Sequence, residues 1–325
     1  MTDVLVLRPQ ADFARVDALP PPSLSVSYHA PDGAEVPDLM RNVPALVIPA
    51  VGPKLPASLF EGTALKLVQV TGAGLDRLDK AALIKAGIPV ANVPGGSNSA
   101  LAEYTVSTAS IMLRRFAWAD AELKAGNYAT FRARLVGGNL AGIDGLLVGV
   151  VGLGVIGMAV AQAFVNAGCR VCYYDPAPSD PKAAAAMGAE AMSLADLLRR
   201  ADIVTLHVPL LPATQGLIGA TELASMKKDA VLIQASRGGI VDEKALADCL
   251  RAGHLGGAVV DVFSTEPPAA DNPLFALEGD AAKRLLLTPH IAGVTRQSAA
   301  FLFRTAWQNV ERVVVEGKAP LHRAY

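Results

Sequence analysis

Three polar residues in the second half of the chain have side chains suited to proton and anion chemistry. Arg237 follows Gln234-Ala235-Ser236, Glu266 lies just beyond Val260-Asp261-Val262-Phe263, and His290 lies just beyond Leu287-Thr288-Pro289. An arginine can clamp a carboxylate through two parallel hydrogen bonds. A histidine exchanges a proton near neutral pH, and a neighbouring carboxylate fixes its tautomer and stabilises its charged form. Taken singly, each has a plainer reading as a surface arginine, a solvated glutamate before Pro267-Pro268, or a satisfied histidine. Their shared place at the ends of predicted strands is what gives them weight.

A second constellation suits a dinucleotide. Gly152-Leu153-Gly154-Val155-Ile156-Gly157 stands between the apolar run Leu146 to Val151 and the helical run Met158 to Ala167. In such a turn the first glycine permits the bend, the second lets the backbone approach a pyrophosphate, and the third packs helix on strand, while free amides at the helix start bind the anion. The next strand leads to Asp175, close to the offset of about 20 residues expected for an acid that takes a ribose 2′-hydroxyl. A carboxylate there repels a 2′-phosphate, and no lysine or arginine follows until Lys182. NAD is therefore expected in preference to NADP.

The elements that must position these groups are those of parallel sheets. After residue 145, strands are predicted at Leu146 to Val151, Arg170 to Tyr174, Ile203 to Val208, Ala230 to Ala235, Ala258 to Phe263 and Leu285 to Thr288. Near-continuous apolar strands separated by helices indicate a sheet covered on both faces. Ser193 with Asp196 forms a capping-box pattern, and Asp242 opens a helix that Gly253 can close. A smaller unit precedes these elements, with strands at Val4 to Leu7, Leu24 to Tyr28, Ala45 to Ile48, Lys66 to Val70 and Ile88 to Ala91, and a helix Lys80 to Ala86 capped by Asp79. Pro94-Gly95-Gly96 then forms a hinge before one long helical pattern, Ser99 to Trp118. Ligands of open α/β sheets sit at the carboxyl ends of the strands, so the cleft between the two units is where chemistry is expected.

Composition narrows the function classes. The 325 residues suffice for about two domains. A formal charge of -1 offers no field for nucleic acid or an anionic membrane. The apolar stretch Gly145 to Ala161 approaches the roughly 17 residues of a membrane span, but its glycines read as strand, turn and helix. The start, Met1 to Pro9, lacks the pattern of a signal peptide, so cytoplasmic residence is expected. Cys169 and Cys172 have the spacing of a metal or redox pair, yet on a strand their side chains diverge, so they are read as structural thiols and no metal is expected.

With their flanks, these residues form a recognisable set. Ala235-Ser236-Arg237-Gly238-Gly239, Val260-Asp261-Val262-Phe263 leading to Glu266-Pro267, and Thr288-Pro289-His290-Ile291-Ala292-Gly293 resemble the D-isomer-specific 2-hydroxyacid dehydrogenase family in content, order and spacing. His207-Val208-Pro209-Leu210, Gly72-Ala73-Gly74-Leu75-Asp76 and Ala102-Glu103 are further matches. The resemblance implies that Arg237, Glu266 and His290 are catalytic. Arg237, with the amides of Gly72, Ala73 and Gly74, would hold the substrate carboxylate. His290 would exchange the hydroxyl proton, with its pKa raised by Glu266, while hydride passes between NAD(H) and the 2-carbon of a small 2-hydroxy or 2-keto acid. Asp261 would meet the nicotinamide amide, and His207, Val208 and Pro209 the adenosine or ribose side. Ala235 and Ser236 would join Gly152, Gly154, Val155, Ile156, Gly157 and Asp175 in cofactor binding.

The same resemblance implies two open doubly wound parallel sheets, with a Rossmann dinucleotide-binding domain inserted in a flavodoxin-like substrate domain. Residues 1–100 would form the substrate domain, completed by the returning tail 291–325, and residues 101–290 the dinucleotide-binding domain. The segment 113–142 resembles the family's dimerisation arm, which implies a homodimer. Here the family's glycine-x-tryptophan element is replaced by Gly126-Asn127-Tyr128 through Gly137-Gly138-Asn139.

An unphosphorylated substrate is expected. Phosphoglycerate dehydrogenases of the family usually carry an arginine just after the third strand, where this chain has Ile48-Pro49-Ala50-Val51-Gly52-Pro53 with Lys54 as the nearest base, and the chain ends at Tyr325 without a regulatory domain. Lys54 leaves open a sulfonate or dicarboxylate. The competing readings are a phosphoglycerate-dehydrogenase-like enzyme and a dinucleotide-sensing corepressor. The absence of a long charged or disordered extension argues against the corepressor.

Overall fold

The computed structural model describes residues 2–138 and 140–325. Met1 and Asn139, both named above, lie outside the described residues. The chain divides into two compact units, residues 2–97 with 294–325, and residues 98–293.

In the first unit, β1 (Val4–Val6), β2 (Val26–Tyr28), β3 (Ala45–Ile48), β4 (Leu67–Val70) and β5 (Val90–Ala91) form one parallel sheet in the order β2-β1-β3-β4-β5. Side chains alternate between its faces. Leu5, Leu46, Ile48, Val68 and Val70 pack with Met40, Phe60 and Leu83 on one side. Val4, Val6, Val47 and Leu67 meet Phe13 and the returning helix Arg296–Val314 on the other. That helix starts at Thr295, whose hydroxyl accepts from the Ser298 amide. It places Phe303 and Trp307 with ring centres 4.5 and 5.2 Å from Phe13. The Trp307 indole donates to the Ala18 carbonyl at 2.8 Å, so its polar edge is not left dry.

The second unit holds β6 (Leu147–Val151), β7 (Arg170–Tyr174), β8 (Glu190–Ala191), β9 (Ile203–Leu206), β10 (Val231–Gln234), β11 (Gly257–Val260) and β12 (Leu285–Leu287). They form one parallel sheet in the order β12-β11-β10-β9-β6-β7-β8. The order reverses between β6 and β9, the point at which doubly wound sheets open a crevice for ligands. Both faces are covered, one by a cluster including Leu197, Leu198 and Leu250, the other by one including Leu153, Val160 and Phe164. Cys169 and Cys172 fall in opposite clusters, and burial pushes each thiol up to about 11. No group of His, Cys, Asp and Glu fit to hold a metal occurs among the described residues.

Local details differ from the sequence reading. The long helix Ser99 to Trp118 is two helices, Asn98–Arg114 and Phe116–Lys124, broken where Arg115 adopts φ 56°. The Arg115 guanidinium donates to the Gly256 carbonyl at 2.5 Å, and beyond the break Trp118 packs on Phe131 at 5.1 Å. Tertiary contacts on both sides of Arg115 thus override a periodicity that runs through it. β8 was not foreseen because its two residues are exposed and carry no apolar signal. The strands expected to reach Val208, Ala235 and Phe263 stop at Leu206, Gln234 and Val260. The chain leaves the ladder there while still apolar, in the segments that build the site. Asp79, Ser193 and Asp242 cap their helices through side-chain oxygens as expected.

Asn309 ties the returning helix into the first unit. Fully buried, it donates to Gln69 Oε1 at 2.9 Å and to the Leu321 carbonyl at 3.0 Å, and accepts from the Leu321 amide at 2.8 Å. Asn309→Ala leaves the buried Gln69 amide unmatched and frees the exposed Leu321 backbone, at an expected cost of about 1–3 kcal/mol. Urea unfolding should show a lower midpoint at unchanged slope.

Candidate active site

The glycine-rich turn after β6 behaves as its sequence requires. Gly152 has φ 93°, and a β-carbon there would lie 2.7 Å from the His207 carbonyl oxygen; one on Gly157 would lie 2.0 Å from the Gly152 oxygen. Neither position tolerates a side chain. Gly154 differs, since a β-carbon there would meet only Ser179 Oγ, at 3.9 Å. Gly154 precedes the helix Val155–Asn166, whose first amides, including those of Val155 and Ile156, have no acceptor within the helix. Bare backbone, open space and free donors together fit a pyrophosphate.

Asp175 follows β7 and faces this turn. One carboxylate oxygen accepts from the Leu153 amide at 2.6 Å, the other from the Ala177 amide at 2.8 Å. Each oxygen keeps a further lone pair for a hydroxyl. After β9, His207 and Val208 back Gly152, and Pro209 is exposed. The His207 ring nitrogen Nε2 lies 2.8 Å from Thr205 Oγ1. Ala235, at the end of β10, packs with Leu101 and Ala292, and with Tyr104 and Ile156, in a small apolar cluster.

Arg237 stands in the turn after β10. Gln234 shapes that turn by accepting from the Ser236 hydroxyl at 2.8 Å and donating to the Arg237 carbonyl at 2.8 Å. The Arg237 guanidinium donates to the Ser236 carbonyl at 2.7 Å. Next to it, a β-carbon on Gly238 would lie 1.8 Å from the Phe263 carbonyl oxygen, so the Arg237 turn rests directly on the segment leading to Glu266.

Glu266 and His290 meet. Glu266 Oε2 lies 2.7 Å from His290 Nδ1, and Oε1 accepts from the Phe263 amide at 3.1 Å. Both side chains keep about a quarter of their surface open, 28% and 27%, so the pair is reachable from solvent. His290 has φ 53°, uncommon for a residue with a β-carbon. Its amide donates to the Asp261 carbonyl at 2.8 Å. The Asp261 carboxylate is fully buried and accepts from the Ile291 amide at 2.8 Å, the Ala292 amide at 2.9 Å and the Thr288 hydroxyl at 2.5 Å.

Gly72, Ala73 and Gly74 lie in the first unit, in the loop after β4. A β-carbon on Gly72 would lie 2.7 Å from that of Ala50, and Asn92 donates to the Ala73 carbonyl at 2.8 Å. Lys54 is exposed on the neighbouring loop, but it is not the base nearest that loop. Arg77, 3% exposed, sends its guanidinium to the carbonyls of Pro53 at 2.9 Å and Pro49 at 3.0 Å. Distance along the sequence hid this contact.

Two supports escaped the sequence reading. Glu243 accepts from the Ser264 amide at 2.6 Å, the Ser264 hydroxyl at 2.8 Å and Asn272 Nδ2 at 2.6 Å, which fixes the loop carrying Glu266. Its place directly after the Asp242 cap was the available signal, and it pointed only to a helix start. Gln234, a buried amide closing an apolar strand, was the other clue.

Burial lowers the His207 pKa from 6.5 to about 4. Between those values the unfolded chain binds the extra proton and the folded one does not, so the contribution to stability falls as pH drops from 6.5 towards 4 and is level below. The loss amounts to roughly 3 kcal/mol. Urea midpoints measured across this window should slope less in His207→Asn than in the parent.

Comparison with known proteins places this geometry. Residues 106–292 match the model described as D-isomer specific 2-hydroxyacid dehydrogenase, NAD binding domain. The D-3-phosphoglycerate dehydrogenase of Mycobacterium leprae is 38% identical over 270 residues, covering 82% of this chain and 49% of that protein. The chain thus spans about half the length of the phosphoglycerate relatives it matches. The (S)-sulfolactate dehydrogenase of Chromohalobacter salexigens is 41% identical over 250 residues, covering 77% of this chain and 76% of that one. The holo D-mandelate dehydrogenase structure from Rhodotorula graminis has a TM-score of 0.83 at 27% identity, covering 100% of this chain and 98% of that one. The chain belongs to the D-isomer specific 2-hydroxyacid dehydrogenase family, and it carries that family's NAD binding domain.

Proposed function

We propose that the protein is an NAD-dependent oxidoreductase that interconverts a small unphosphorylated 2-hydroxy acid and its 2-keto acid. The observation that carries this reading is the Glu266–His290 contact at 2.7 Å, within a family-specific NAD binding domain. Gly152, Gly154, Val155, Ile156, Gly157 and Asp175 hold the dinucleotide, with His207, Val208 and Pro209 on its adenosine side and Ala235, Ser236 and Asp261 towards the nicotinamide. The bound nicotinamide supplies hydride exchange with the 2-carbon of the substrate.

The chain's own residues orient the acid and move its proton. Arg237 grips the carboxylate through its planar fork, and the Gly72, Ala73 and Gly74 amides add neutral donors. With Glu266 on Nδ1, the imidazole is held as the tautomer whose Nε2 trades the proton of the 2-hydroxyl. The loop after β3 supports an unphosphorylated substrate, because it presents Lys54 and no exposed arginine, Arg77 being turned inward. A sulfonate or carboxylate at carbon 3 remains compatible with Lys54.

We also propose a homodimer resident in the cytoplasm, with the first unit as substrate domain and the second as dinucleotide domain. The helix Phe116–Lys124 buries none of its residues, and Phe116, Leu123, Tyr128 and Val136 are all more than half exposed. An apolar surface of this kind on residues 116–136 suits association with a second copy. The free thiols Cys169, Cys172 and Cys249 suit a reducing compartment. No described helix is long and apolar enough to cross a membrane.

Rates with glyoxylate, pyruvate, hydroxypyruvate, an aliphatic 2-keto acid, a C3-sulfonated one and 3-phosphohydroxypyruvate test the substrate reading. An unphosphorylated acid should give the highest kcat/KM; the phosphorylated acid leading would overturn that reading, and no turnover at all would overturn the enzyme. His290→Ala should lower turnover on the order of 10²- to 10⁴-fold at little changed NADH affinity. Arg237→Ala should act mainly on kcat/KM for the acid. NADH should be preferred to NADPH, with Asp175→Ala narrowing the gap; equal kcat/KM in the parent would refute the assignment to Asp175.

A further inference from the structure

Tyr104 lies on the helix Asn98–Arg114, and its hydroxyl is 2.7 Å from Thr288 Oγ1. Thr288 Oγ1 in turn lies 2.5 Å from Asp261 Oδ1. The polarity of this chain follows from chemistry. An ionised carboxylate can only accept, so Thr288 donates to Asp261, and its one proton is then committed. Tyr104 must therefore be the donor to Thr288. Burial pushes the tyrosine up to about 12, so the donor keeps its proton throughout the neutral range.

Asp261 binds one short segment at four points. Its carboxylate takes the Thr288 hydroxyl and the amides of Ile291 and Ala292, and its carbonyl takes the amide of His290. The residue at the centre of this grip holds a left-handed backbone at φ 53°. A backbone of that kind is strained and persists only where its surroundings impose it. With the backbone so held, the imidazole meets Glu266 at 2.7 Å.

We propose that Tyr104 and Thr288, acting through Asp261, are positioning residues that fix the His290 imidazole against Glu266. The inference rests on the enzymatic reading above for its kinetic consequences, though not for its structural one. Tyr104→Phe removes a single oxygen from a packed ring and tests the chain at its far end. Thr288→Val removes the middle hydroxyl at nearly constant volume, and Thr288→Ser restores it.

The expected result has two parts. Turnover of the best 2-keto acid should fall on the order of 10-fold in Tyr104→Phe and on the order of 100-fold in Thr288→Val, as suits a displaced proton donor. Thr288→Ser should recover most of the loss. NADH affinity, measured by fluorescence titration without substrate, should stay within about two-fold throughout. In protein labelled with ¹⁵N-histidine, the His290 Nδ1–H resonance should shift or broaden in Tyr104→Phe and Thr288→Val and return in Thr288→Ser. An unmoved resonance in both would overturn the positioning role. NADH affinity falling in step with turnover would overturn it differently, by placing the lost function in cofactor binding rather than in the placement of His290. Failure of the parent to reduce any 2-keto acid would remove the enzymatic reading alone, because the resonance still reads the placement of His290.

Discussion

The carboxyl end of the larger sheet depends on backbone meeting backbone where a side chain would intervene. Phe263 presents its carbonyl to the place where Gly238 has no β-carbon, at 1.8 Å from where one would stand. That approach sets the turn carrying Arg237 on the segment that leads to Glu266. Gly152 and Gly157 do the same for the turn at the end of β6, one against the segment after β9, the other against the turn itself. The loops of a parallel sheet are long and individually weak. Here they brace one another, which is how groups from separate strands keep a fixed spacing.

Side-chain hydrogen bonds complete what close approach begins. Gln234 folds the Arg237 turn, Glu243 draws in the loop of Ser264 and Asn272, and Asp261 holds the segment around His290. These supports satisfy backbone groups that leave the sheet ladder and would otherwise be stranded away from water. Many of the polar residues around the candidate site thus face loops rather than open space.

Much of this was legible in the sequence because it is written in local code. The glycine turn, its apolar strand, the caps at Asp79, Ser193 and Asp242, and the apolar runs of both sheets are each decided within a dozen residues or fewer. What escaped was decided elsewhere in the chain. Apolar periodicity runs straight through Arg115, and the break is marked by tertiary contacts, Arg115 with Gly256 and Trp118 with Phe131. The apolar runs ending at Val208, Ala235 and Phe263 do not say where ladder bonding stops, since those last residues pack just as well in a loop. Arg77 was invisible beside Pro49 and Pro53 because they are distant in sequence. The His290–Glu266 contact was anticipated through family resemblance, whereas the left-handed backbone at His290 had no signature, since residues other than glycine seldom adopt it and the flanking sequence does not mark which one will.

The chain's order in space also carries a consequence for its birth on the ribosome. Phe13 waits for Phe303 and Trp307 to close the apolar face of the first sheet, and these emerge only after the whole of residues 98–293. The inserted unit is contiguous and can collapse as soon as β12 is out, while the unit begun first must stay open until the end. Until then the nascent Val4, Val6 and Val47 face must be kept from other strands, so exposure to misassembly is concentrated on that face.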